Sequence, residues 1–202
     1  MMVAVATDGA RLAKVISPLT QAFDGVIMGN KSVAQAIRLL DGGDFVVNVA
    51  ISDTKIMLGF DDTVINSKLI DGNFPDYQRV IDMAESQKSM KALSEDFQRA
   101  LGMVSVVTSE KGGRVKLNVS GSTCALSMTG SGGQTASDEF SVSFDGEPHE
   151  VGFNIKYIGD VLRNVPGGAT FEFGDVDNKP VKVLDDSDAG VLYLVMPMSG
   201  GR

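Results

Sequence analysis

NIKYIGDVLRNV, residues 154–165, and NKSVAQAIRLL, residues 30–40, carry the same helical pattern. Val33, Ala36, Ile37 and Leu40 correspond to Ile158, Val161, Leu162 and Val165 at an offset of 125 residues. At about 100° per residue, each set forms one apolar face. Lys31 and Arg38 correspond to Lys156 and Arg163. Both basic pairs are seven residues apart, so each makes one stripe opposite the apolar face. A solvated helix surface explains either stripe alone. Two stripes in one register point instead to sheets carrying helices whose exposed faces are positive.

A further helical pattern, SEDFQRALGMVSVV at 94–107, has Phe97, Ala100, Leu101 and Val104 on its apolar face. Glu95 and Gly102 replace the basic pair there. Asn30, Ser94 and Asn154 are the expected N-caps, spaced 64 and 60 residues apart. About three short, β-branched strands follow each helix. The expected strands are Met2–Ala6, Leu12–Ile16, Phe45–Ile51, Lys55–Phe60, Val64–Ile70, Arg114–Val119, Cys124–Met128, Glu139–Phe144, Ala169–Phe173, Val181–Leu184 and Val191–Val195. The pattern predicts one helix-plus-strands unit used three times. A joint falls after FPDYQRVI (74–81), in the aperiodic DMAESQKS (82–89), and divides the chain into 1–85 and 86–202.

The 202 residues, 43% apolar, suffice for one large domain or two small ones. No apolar run approaches the roughly 20 residues that cross a bilayer, and no membrane partner is expected. The single cysteine, Cys124, excludes an internal disulfide and fits a cytoplasmic protein. One histidine, His149, and one cysteine cannot build an ordinary structural zinc site. The net charge of −8 excludes nucleic-acid binding by bulk electrostatics, so any such role needs local positive charge.

GSGG at 130–133 lacks the following Lys-Ser/Thr of a phosphate loop and reads as a hairpin tip. Asp185, Asp186 and Asp188 read as a solvated turn, too few for calcium. His149 lies near Glu147 and Glu150 without a nucleophile placed by any motif. No enzyme, metal or cofactor is expected. TDGARLA at 7–13 is a hairpin-type turn at Asp8-Gly9, but the turn does not demand Arg11. The chain ends its last strand on YLVMPM (193–198), leaving Met196, Pro197 and Met198 near a surface.

ATDGARLA, LLDGGD (39–44), SKLIDGNFPDYQRVI (67–81), GFNIKYIGDVL (152–162) and YLVMPM occur in one order across nearly the whole chain. In these motifs the sequence resembles the bacterial DNA polymerase III β subunit, the sliding clamp. The resemblance implies an α+β fold of repeated β-α-β-β-β halves, two per domain, with helices on one face of antiparallel sheets. It implies a non-catalytic processivity factor that closes by self-association into a ring around duplex DNA. Lys31, Arg38, Lys156 and Arg163 would then face phosphates through sequence-independent contacts. It also implies a hydrophobic cleft for peptides of the polymerase and clamp loader. That cleft would comprise Thr7, Gly9, Arg11, Leu12, Pro75, Arg79, Val80, Asn154, Tyr157, Leu194, Val195, Met196, Pro197 and Met198. Methionines suit it because flexible thioethers accommodate different ligands.

The chain departs from the family pattern at Ala10, usually histidine, and at Ser199, usually basic. It departs again at Gly112, an aromatic in some relatives, and all three changes trim the cleft. By length it holds about three halves, a partial middle domain and a complete last one, without the first. An open sheet edge is therefore expected, and four chains would restore the twelve halves of the family ring. The alternative is a clamp-derived interaction protein that binds polymerase peptides without encircling DNA.

Overall fold

Arg114–Ser120 alternates Val115, Leu117 and Val119, all fully buried, with polar residues that face outward, and it forms a strand. The same logic builds most of this α+β protein, described here from a computed structural model over residues 1–18, 23–41, 46–84, 86–108, 112–174 and 178–199. Strands β1 (Met2–Thr7) and β2 (Arg11–Ser17) precede helix α1 (Asn30–Leu40). Then come β3 (Asn48–Ile51), β4 (Lys55–Phe60), β5 (Thr63–Lys68) and α2 (Tyr77–Asp82). Next are β6 (Lys88–Leu93), α3 (Ser94–Ser105), β7 (Arg114–Ser120), β8 (Thr123–Thr129), β9 (Thr135–Ser141) and β10 (Ser143–Asp145). The chain ends with β11 (His149–Asn154), α4 (Ile155–Leu162), β12 (Gly168–Phe173), β13 (Val181–Asp185) and β14 (Asp188–Val195).

These elements form two compact units, Met1–Pro18 with Tyr77–Arg202, and Leu19–Asp76. The larger holds two repeats of a lead strand, a helix and three strands: β6-α3-β7-β8-β9 and β11-α4-β12-β13-β14. Their antiparallel sheets run β1-β2-β14-β13-β12-β6-β10 and β11-β7-β8-β9. Each lead strand crosses to the other repeat, so β6 pairs with β12 and β11 with β7. Phe97 of α3 ties the two sheets together. Its ring centroid lies 4.7 Å from Phe140 on β9 and 5.4 Å from Phe171 on β12.

The smaller unit holds one repeat: an extended lead segment, α1 and the sheet β3-β4-β5. Ala36 packs with Phe60 and Ile65, and Ser67 Oγ donates to Ser32 Oγ at 2.8 Å. In every repeat the chain after the third strand returns to the lead strand. Phe144 pairs with Met90, Met198 N donates to Gly152 O at 2.8 Å, and Ile70 N donates to Ile27 O at 2.9 Å. Ile27 and Gly152 are again 125 residues apart.

The expected elements differ from the observed ones in instructive ways. Asn154 caps α4 by accepting from Lys156 N, but Gly29 and Leu93 occupy the cap positions of α1 and α3 without side-chain bonds. Gly29 restores the 125-residue register with Asn154. Ser94 is instead the first residue of α3, its hydroxyl buried without a hydrogen-bond partner among the described residues. The strand expected at 139–144 is the two strands β9 and β10. The expected Phe45 strand start and the Gly42–Asp44 part of LLDGGD lie outside the described residues. β6 and β11 escape sequence reading because β6 opens on half-buried Lys88 and Ser89, and in β11 polar His149 takes an inward place and Val151, Gly152 and Phe153 are buried in succession. α2 lies in a stretch too short and polar to show periodicity.

Candidate functional site

The Asp8-Gly9 turn fixes one side of the site. Asp8 Oδ1 accepts from the amides of Ala10 and Arg11 at 3.1 and 3.0 Å. Thr7 Oγ1 donates to Arg11 O at 2.8 Å, and Gly9 takes the left-handed φ of +86° that the turn requires. Burial pushes against ionisation of Asp8, but the Ala10 amide and the amide and guanidinium of Arg11 together hold its pKa below the ordinary value. The Arg11 guanidinium is held in turn. Its Nε donates to Asp8 Oδ2 at 3.0 Å, its Nη1 to Asp160, and its Cζ lies 4.6 Å from the Tyr157 ring centroid. The hydrogen bond it donates to Asp160 raises its pKa over the opposing effect of burial, with Asp8 adding to it.

The apolar floor comes from the next strand positions. Leu12 pairs with Leu194 across β2 and β14, and both are buried with Ala84. Tyr77, Val80 and Ile81 of α2 pack on this cluster together with Val5 and Leu192. Val195, one residue on, points to the main core and is fully buried there. Thr7, Gly9 and Arg79 are exposed. Pro75 belongs to the smaller unit, where it is exposed.

The tail after β14 forms the rim. Met196 N donates to Ala10 O and Met198 N to Gly152 O, both at 2.8 Å. Pro197 sits between these two anchored amides, where an N–H is not used. Arg114 Nε donates to Met198 O at 3.3 Å. A Cβ on Gly152 would lie 2.2 Å from Arg114 Nε, so the absent side chain makes room for the arginine. Met196 and Pro197 are half-buried, and Met198 is 37% exposed. The methionines are thus neither core nor loose end: the backbone is pinned while the last thioether faces solvent. Gly112 has φ +127°, and a Cβ there would meet Asn154 Nδ2 at 2.9 Å, so glycine is locally demanded.

Lys156 on α4 and Arg163 at its C-cap are exposed beside a groove of about 600 Å³ against α3 that Gln98, Ser105 and Thr108 also line. Arg163 is paired with Asp160, whose other carboxylate oxygen takes Arg11. Lys31 and Arg38 are exposed on α1 in the smaller unit. His149 is buried against Phe173, ring centroids 5.1 Å apart, in a structural position.

Sequence reasoning did not find Asp160, the Ala10 carbonyl, Arg114 or Gly152. Only Asp160, three residues before Arg163, carried a local signal. The others act through backbone atoms or across strands distant in sequence.

Comparison with known proteins places these features. The model of the DNA polymerase III beta subunit central domain matches residues 1–76, and that of its C-terminal domain matches 79–199. The beta sliding clamp of Caulobacter vibrioides is 37% identical over 199 residues, covering 96% of this chain and 53% of the relative. The solved Caulobacter crescentus pol III beta superposes with a TM-score of 0.90 at 36% identity, over 98% of this chain and 54% of that one. A Bartonella birtlesii sliding clamp bound to griselimycin gives a TM-score of 0.89 at 33% identity, over 97% and 54%. The chain spans about half the length of the relatives it matches.

Proposed function

The chain belongs to the DNA polymerase III β subunit family, and from that premise we propose that it is a non-catalytic sliding-clamp scaffold. It tethers replication proteins to duplex DNA in the cytoplasm by holding their short peptides in a cleft. Arg11, Leu12, Val80 and Leu194 to Met198 are its central residues; Thr7, Gly9, Arg79, Asn154 and Tyr157 of the same unit belong to it as well. The observation that carries this reading is the Met196–Met198 rim, pinned to Ala10 and Gly152 beside the Leu12–Leu194 floor. A rim with fixed backbone and flexible thioethers offers ligands preformed shape at low ordering cost.

A fluorescence titration with a short peptide ending in two apolar anchors tests the cleft. Met198→Ala is expected to lose about 1–2 kcal/mol of binding, as truncating an interface anchor does. Equal binding by wild type and variant, or no binding at millimolar peptide, overturns the assignment. Griselimycin, found on the Bartonella relative, is a second ligand for the same titration.

For DNA, Lys31, Arg38, Lys156 and Arg163 supply loose phosphate contacts, and replacing all four by alanine is expected to weaken duplex binding by roughly 10-fold with a shallower salt dependence. A ring would further hold circular DNA at salt that releases linear DNA. Self-association would use the helix face near Val106 and Val107 at the end of α3, where Val106 is 76% exposed and Val107 half-buried. Release of circular and linear DNA at the same salt favours the second reading, a peptide-binding regulator that does not encircle DNA. The pairing of Arg163 with Asp160, which withdraws one of the four cations, speaks for that alternative.

A further inference from the structure

We propose that Asp160 couples the peptide cleft to duplex DNA: one of its carboxylate oxygens positions Arg11 in the cleft wall, and the other masks Arg163 from phosphate. Asp160 is a positioning residue that acts on each ligand through an arginine. The inference rests on the cleft and the basic stripe taking the ligands proposed above, and it adds how one site governs the other.

The carboxylate is divided between two guanidinium groups. Its Oδ2 accepts from Arg11 Nη1 and its Oδ1 from Arg163 Nη2. All three residues belong to the larger unit. Tyr157, Asp160 and Arg163 follow one another at three-residue steps along α4 to its C-cap, so neighbours in this row touch. Tyr157 and Asp160 receive Arg11 together, the ring from below and the carboxylate from the side. The bond to Asp160 is the strongest influence on the Arg11 guanidinium, ahead of the opposing effect of burial and of the bond to Asp8. Without Asp160, the only anion left to Arg11 among the described residues is Asp8, which holds Nε and leaves the outer nitrogens to swing.

Arg163 stands on the other side of the same carboxylate. Its side chain is 62% exposed and lines the groove between α3 and α4 with Lys156. No acidic residue lines that groove among the described residues, and Asp160 is the one ion-pair partner of Arg163 there. A phosphate entering the groove therefore competes with Asp160 for Arg163. When it wins, the attraction of the carboxylate passes to Arg11 alone. Arg11 is then held more firmly over Tyr157, and a peptide has less of the cleft wall left to order. By linkage, a peptide that fixes Arg11 loosens Arg163 for DNA by the same factor. The coupling is positive.

The test is a pair of fluorescence titrations at low salt, one with a peptide ending in two apolar anchors and one with a short labelled duplex. Asp160→Asn is expected to weaken peptide binding about 5-fold and to tighten duplex binding about 3-fold, with a steeper salt dependence. An aspartate that only supported the fold would weaken both or neither. Adding Arg163→Ala to Asp160→Asn is expected to abolish the gain in duplex binding, whereas a general loss of negative charge would preserve it. In wild type, saturating duplex is expected to tighten peptide binding about 2-fold, a small factor because both arginines are partly exposed. That measurement needs no variant and decides the matter should Asp160→Asn fail to fold. The proposal is overturned if Asp160→Asn moves both affinities the same way or leaves either unchanged. It is equally overturned by a duplex gain that survives Arg163→Ala, or by wild-type peptide affinity indifferent to duplex. Wild type that binds neither ligand overturns the proposed function itself, and this inference with it.

Discussion

Replacing Phe97 with alanine is expected to destabilise the larger unit by about 3–5 kcal/mol, lowering its unfolding midpoint by roughly 10 °C in a thermal scan. Phe97 is fully buried, and its two ring neighbours lie on different sheets, Phe140 on β9 and Phe171 on β12. Truncation removes apolar contacts and leaves a cavity that two hydrogen-bonded sheets cannot close by small shifts. The sheet containing β12 also carries β14 and its tail, so peptide binding should disappear at the same temperature as the fold. A loss below about 1 kcal/mol would mean that the sheets relax into the gap, contrary to the packing of Phe97 between them.

Gly152→Val is expected to weaken peptide binding about 30-fold, close to 2 kcal/mol, with a smaller effect on thermal stability. A Cβ at this position would fall 2.2 to 2.6 Å from the Arg114 guanidinium, which must then leave its place over β11. With it goes the Arg114 Nε bond to Met198 O, and the tail loses its second support beside the Met198 N to Gly152 O bond. Arg114→Ala removes only the one hydrogen bond and should cost less, about 0.5–1.5 kcal/mol. Calorimetric titration of the two variants checks the order. Wild-type affinity for Gly152→Val would show that the rim is held in place without this seat.

Features set by neighbours along the chain were legible in the sequence. The Asp8-Gly9 turn, the amphipathic faces of α1, α3 and α4, and the three-fold repeat arise from interactions within a few residues. Each therefore leaves a local pattern. The motifs around Arg11 and the final Met-Pro-Met were readable for the same reason, as short runs of fixed residue types. β6, β11 and α2 were not, because half-buried Lys88 and Ser89 and the consecutively buried Val151, Gly152 and Phe153 break a strand's alternation, and six residues are too few to show a helical period.

Tertiary structure alone decided what these pieces do together. Met198 is an anchored rim residue only because Gly152, far earlier in the chain, offers its carbonyl and lets Arg114 pass above it. Arg11 is locked over Tyr157 only because α4 brings Asp160 to it, and the same carboxylate ties down Arg163. Two helices with one pattern end with opposite fates: Leu162 is fully buried beside α3, and Ile37 is 66% exposed. Periodicity records which face of a helix is apolar. Whether that face is covered depends on chain segments distant in sequence, and no local pattern encodes them.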